Sequence, residues 1–60
     1  MRHLLKPEEA AAYLAVSEPT IRQWIWQRRL PVVRLGRAVR LRREDLDAVI
    51  KRHREEGVDL

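Results

Sequence analysis

Apolar and polar positions along the 60-residue chain follow a helical period in three stretches, with a short alternating stretch between the second and third. Pro7-Glu8-Glu9 opens the first helix: proline suits the first helical position, and the acids complement the positive end of the helix dipole. Leu5 ahead of it is placed to act as an apolar staple, while Lys6 is a poor cap residue. Ala10, Ala11 and Leu14 share one face, and the alanines leave room for another helix to approach. Ala15-Val16-Ser17 breaks the periodicity after Leu14. Ser17 is a good N-cap for a second helix from Glu18 to about Arg28, with Pro19 in its first turn, where a missing N–H does no harm. At about 100° per residue, Ile21, Trp24, Ile25 and Arg28 line one face of this helix. Pro19, Arg22, Gln23 and Trp26 point the other way, and Thr20 and Gln27 lie on a flank.

Leu30-Pro31 ends the second helix, and Val32 to Leu41 reads as a β-hairpin around Gly36-Arg37. A two-residue loop pairs Leu35 with Ala38 and Arg34 with Val39, mixing polar and apolar residues on each face. A three-residue loop pairs Leu35 with Val39 and Val33 with Leu41 on one face, and Arg34 with Arg40 on the other. The apolar pattern selects the three-residue loop, because a one-residue slip turns a core face outward. It also sets two like charges opposite each other, an unfavourable pair that implies a bound anion. Arg42-Arg43-Glu44-Asp45 starts a last helix that runs to about Glu56, with Leu46, Val49, Ile50 and His53 as its buried stripe and Gly57 just past its end. Val58-Asp59-Leu60 is expected to fray. Trp24 is expected in the core, Tyr13 at its edge and His53 half-buried. The predicted fold is mainly α with a small β-hairpin, a winged helix-turn-helix in the order α-α-β-β-α. It forms a single domain over residues 1–60, with its folded core at about 4–56.

Charge sharpens this picture. The net charge of +4 conceals a block from Thr20 to Arg43 that holds eight arginines (22, 28, 29, 34, 37, 40, 42 and 43) and no acid, flanked by segments that are net acidic. A solvated basic face is the plain alternative. The placement of the arginines on the outer side of one helix and along a hairpin favours a local field built for an anionic partner. Arginine rather than lysine suits forked contact with phosphate oxygens and guanine edges. No apolar run approaches the ~20 residues of a membrane span, and the first residues lack the apolar stretch of a signal peptide. A cytoplasmic, nucleoid-associated protein is expected. With one serine, one threonine and no cysteine, no nucleophile–base set can be assembled. The two histidines, His3 and His53, are too few and too far apart in sequence for a closed metal site. The expectation is therefore a protein that is not an enzyme, with no cofactor, no metal and no small-molecule substrate.

Pro7-Glu8-Glu9-Ala10-Ala11, Tyr13-Leu14, Val16-Ser17, Thr20 to Ile25, Arg29-Leu30-Pro31 and Arg42 to Leu46 together resemble the excisionase-type helix-turn-helix domain, a relative of the MerR DNA-binding domain. The resemblance spans about residues 4 to 50. It implies a compact winged domain that binds bacterial or phage DNA, as a recombination directionality factor or a small transcription regulator, often on adjacent sites. By that resemblance Thr20, Arg22 and Gln23 meet double-stranded DNA from the second helix, and Arg34, Arg37 and Arg40 from the wing. Ser17, Pro19, Gln27 and Arg28 complete the candidate contact set. Three positions depart from the family pattern: Ala15 stands where glycine is usual, Glu18 where a basic residue is common, and Trp26 where a charged one is usual. If position 15 takes a positive φ, alanine is strained there by roughly 1 kcal/mol.

Several roles stay open on the sequence. Ser17 is a cap first and a phosphate contact second. Arg28 serves either a phosphate or a structural salt bridge. Arg42 and Arg43 either flank the last helix or touch DNA. Trp26 contacts another protein, packs on neighbouring chain or touches DNA. The runner-up function is a protein-interaction module whose basic face binds an acidic partner. Further copies of the chain on adjacent DNA sites are the other expected partner.

Overall fold

The computed structural model describes residues 4–57. Its elements are β1 (Leu4–Leu5), α1 (Pro7–Leu14), α2 (Glu18–Trp26), β2 (Val33–Leu35), β3 (Ala38–Arg42) and α3 (Arg43–Glu56). The fold is mainly helical with a three-stranded antiparallel sheet in the order β1-β3-β2, and it fits a winged helix-turn-helix. The expected fraying of Val58 to Leu60 lies outside the described residues. None of the described helices is long and apolar enough to cross a membrane.

Strand β1 is absent from the sequence-based order. Leu5 pairs with Leu41 and Leu4 with Arg42, so Leu5 enters through the sheet. A two-residue strand has too little alternation to announce itself, and only the far edge of β3 gives it a partner. Ala10, Ala11, Ile21, Leu30, Leu41 and Leu46 form the buried core, with Leu5, Leu14, Val16, Trp24, Ile25, Val32 and Val49 packed against it. Trp24 thus joins the core as expected. Ile50 does not complete the buried stripe of α3, being 45% exposed. Of this 14-residue helix only Leu46 is fully buried, and Val49 packs partly against the core.

Helix ends follow local chemistry. The Glu9 carboxylate accepts from the Lys6 backbone N–H at 2.8 Å, half of a capping box; the lysine side chain has no acceptor to make the other half. Ser17 Oγ accepts from the Thr20 N–H at 3.3 Å and caps α2 as predicted. α1 and α2 both end in Schellman motifs. The Val16 N–H donates to the Ala11 carbonyl and the Arg29 N–H to the Trp24 carbonyl, while Ala15 and Arg28 take the left-handed position at φ 59° and 61°. The positive φ anticipated at Ala15 is present. Arg28 is a correction: α2 stops at Trp26, and Arg28 lies exposed in the turn beyond it, not on the apolar face of the helix.

The hairpin also corrects the expected register. Val33 pairs with Arg40, Arg34 with Val39 and Leu35 with Ala38, around the two-residue loop Gly36-Arg37. Gly36 has φ 63° and Arg37 has no positive φ, the pattern of a type II′ turn with glycine at its first central position. The wing tip extends past the core, as Leu35 at 52% exposure shows. Burial therefore exerts no hold there, and turn chemistry sets the register. Arg34 and Arg40 now lie on opposite faces, so the like-charge pair, and the anion it implied, are gone.

Between α1 and α3, the Tyr13 hydroxyl donates to an Asp47 carboxylate oxygen. Tyr13 is 43% exposed, further out than a core-edge position. This hydrogen bond, with lesser help from desolvation and the Asp47 charge and against the opposing charge of Arg43, raises the Tyr13 pKa above its ordinary value.

Two outcomes follow from this packing. Ala15→Gly relieves left-handed strain and should stabilise the protein by about 1 kcal/mol, raising Tm by roughly 4–8 °C in a thermal melt followed by circular dichroism. Because the folded-state pKa of Tyr13 is raised, its contribution is present below the ordinary tyrosine pKa and is lost as pH rises through the raised value. Absorbance titration of this single tyrosine should give a midpoint above that of free tyrosine, and Asp47→Ala should bring it back down.

Candidate nucleic-acid interface

The outer face of α2 is polar because the 3.6-residue period that turns Ile21 inward turns its neighbours outward. Ile21 is fully buried, whereas Pro19, Arg22, Gln23 and Trp26 are exposed. Glu18, Arg22 and Trp26 recur every four residues and form one stripe along this face. Glu18, Pro19, Arg22, Gln23 and Trp26 line one shallow depression. A second, of about 230 Å³, is lined by Pro7, Arg22, Ile25, Trp26, Arg34 and Val39. Arg22 and Trp26 belong to both, so the surface runs without interruption from the start of α2 to the wing. The face of α2 and the inner face of the hairpin are side by side.

The observed register is what brings Arg34 here. Standing opposite Val39, it shares the face of β3 that carries Leu41 into the core. Its stem lies beside Val39, and its exposed head looks toward α2. Arg40, paired with Val33, is on the other face of the hairpin, half-buried, with Nη1 donating to the Val39 carbonyl at 2.9 Å. The expected wing trio is therefore divided: Arg34 sits beside α2, Arg37 occupies the exposed tip, and Arg40 is turned away.

The arginine block divides further by partner. Arg42 is ion-paired with Asp45 at 3.3 Å and Glu44 at 3.6 Å, so it flanks the start of α3. Arg22 donates to Glu18 Oε2 from Nη2 at 2.7 Å and from Nε at 2.9 Å. Arg22 is mostly exposed and Glu18 partly so, and a surface pair at this spacing adds only about 0.3–0.5 kcal/mol to stability. Among the described residues of the block, Arg28, Arg34, Arg37 and Arg43 have no hydrogen-bond or ion-pair partner for their guanidinium groups. Arg28, Arg34 and Arg37 stand just past the end of α2, on the inner wing and at the wing tip, where no described residue competes for them, and Arg43 stands at the start of α3.

Of the remaining candidates, Ser17 and Thr20 are occupied with each other, their hydroxyl oxygens 2.8 Å apart at the start of α2. Gln23 lies on the outer face of α2, and Gln27 is the exposed C-cap residue. Glu18 and Trp26 were not in the contact set expected from sequence, yet both line this surface. Trp26 is 84% exposed, so it does not pack on neighbouring chain. Its place four residues after Arg22, on the polar side of the helix, is the signal that could have found it.

A family described as a helix-turn-helix domain matches residues 4–54 of the chain. No curated protein and no solved structure matches it.

Proposed function

The chain belongs to this helix-turn-helix domain family, and on that footing we propose that it binds double-stranded DNA, with α2 in the major groove and the wing on the adjacent backbone. The observation that carries this is the continuous surface on which Arg22 and Trp26 of α2 meet Arg34 of the wing. A major groove admits one helix, and an arginine on that helix can take both acceptors of a guanine edge. Arg28, Arg34 and Arg37 take phosphates, which set position without reading sequence. The proposed service is recombination directionality or transcription regulation.

A single reading helix of nine residues covers a short site. Useful specificity therefore calls for several copies on adjacent sites, the free protein being a monomer. Sedimentation with and without duplex measures this, and a stable dimer in the absence of DNA would contradict it. The exposed Trp26 also favours a second reading, contact with an acidic protein. Competition separates the two: an acidic partner that still binds when the protein is saturated with duplex uses another face.

The logarithm of duplex affinity should fall linearly with log salt, by a slope of about 0.9 per phosphate engaged. Arg34→Ala and Arg37→Ala should each lower that slope by about one unit and weaken all sequences alike. Arg22→Ala should cost about 1–3 kcal/mol on a preferred site and relax its sequence preference. Affinity that stays flat between roughly 50 and 300 mM salt would sink the proposal.

A further inference from the structure

We infer that Glu18 and Arg22 act as one base-reading unit for a G·C pair or G·C step, with Glu18 as a specificity-determining residue. This rests on the duplex-binding reading above. Glu18 is the first residue of α2, with Arg22 one turn on. Residues near the N-terminus of a recognition helix are those that meet base edges. The two positions are about 6 Å apart along the helix axis, which spans no more than two base-pair steps.

The geometry of the pair leaves its reading capacity intact. Glu18 Oε2 takes one N–H from Nε and one from Nη2 of Arg22, on a single edge of the guanidinium. Three of the five N–H groups remain, and two of them, on Nη1 and Nη2, form the parallel end-on fork that matches guanine O6 and N7. Arg22 is therefore held in position by Glu18 with its guanine-reading fork unspent. The other carboxylate oxygen of Glu18 has no partner among the described residues. A carboxylate on this surface accepts from the cytosine amino group, the one kind of donor a G·C pair adds to the major groove. Toward a phosphate the same carboxylate is repelled. Glu18 thus favours one base edge while penalising the sequence-independent contacts that Arg22 would otherwise make.

The test uses the full 60-residue chain and a library of random duplexes, with sites selected by the wild type, Glu18→Ala and Glu18→Gln. Melting curves verify that each variant is folded. The wild type should select sites with a fixed guanine and cytosine on the same or adjacent pairs. Replacing that guanine by 7-deazaguanine, which lacks the N7 acceptor, should weaken binding roughly tenfold. Glu18→Ala should lose the cytosine preference, bind random duplex several-fold more tightly, and lower the ratio of selected-site to random affinity about tenfold. Glu18→Gln should shift the preferred base from cytosine toward adenine, whose N6 and N7 suit an amide. The inference is overturned if Glu18→Ala strengthens all duplexes equally and leaves the selected sequence unchanged. It is also overturned if the wild type binds duplex with strong salt dependence but selects no sequence, a result under which DNA binding itself still stands. Absence of any duplex binding at low salt removes both readings together.

Discussion

Strand β3 is paired on both edges, to Leu4–Leu5 on one side and to Val33–Leu35 on the other, and it carries Leu41 fully buried in the core. Leu41 shares that core with Ala10 and Ala11 of α1, Ile21 of α2 and Leu46 of α3. α1 and α3 therefore pack directly on this strand, and α2 is seated mainly on α1. Burial of a leucine of this kind is worth about 1.5–3 kcal/mol. In a domain this short, whose core rarely supplies more than about 3–5 kcal/mol, that is a large share of the total. The wing is the outward end of the same strand. Its position beside α2 is consequently a property of the core, not of a flexible arm: β3 cannot swing without withdrawing Leu41.

This coupling explains how so small a protein presents an extended surface. Ile21 anchors α2 and Leu41 anchors β3 in the core; Arg22 stands on the outer side of α2, and Arg34 stands on β2, paired through Val39 to β3. Nearby arginines take structural work instead. Arg42 joins the start of α3 through Asp45 and Glu44, and Arg40 bonds to the backbone of its own strand. The positive charge of the central block is thus sorted by element. Among the described residues, Arg28, Arg34 and Arg37, past the end of α2 and on the wing, have guanidinium groups without hydrogen-bond or ion-pair partners, so a phosphate would meet little competition there.

Much of this was legible in the chain. Pro7, Ser17 and Gly57 mark helix boundaries through local chemistry, and the structure keeps all three. The division of α2 into a buried Ile21 side and a polar Arg22 side follows from helical period alone. The block of arginines is read directly from the order of residues in the sequence. What escaped depends either on a neighbour distant in sequence or on a local closure that no residue type announces. Leu4 and Leu5 become a strand because β3 offers an open edge, and two residues cannot signal that by themselves. Arg28 leaves the helix because a Schellman closure at Arg29 draws the chain into the left-handed region, where glycine would have given warning and arginine does not.

The hairpin separates the two kinds of information most clearly. The residues Val33 to Leu41 determined that a wing exists and that it is basic, since alternation around a glycine turn is a local property. Which arginines share a face was decided by the tertiary structure. Beyond the edge of the core no burial energy distinguishes the two faces, so the tight turn at Gly36 set the register and put Arg34 with Val39, toward α2, and Arg40 away from it. Periodicity determines what each segment can become. Contact between segments determines which of its side chains stand together, because that depends on which surfaces the core covers and which it leaves free.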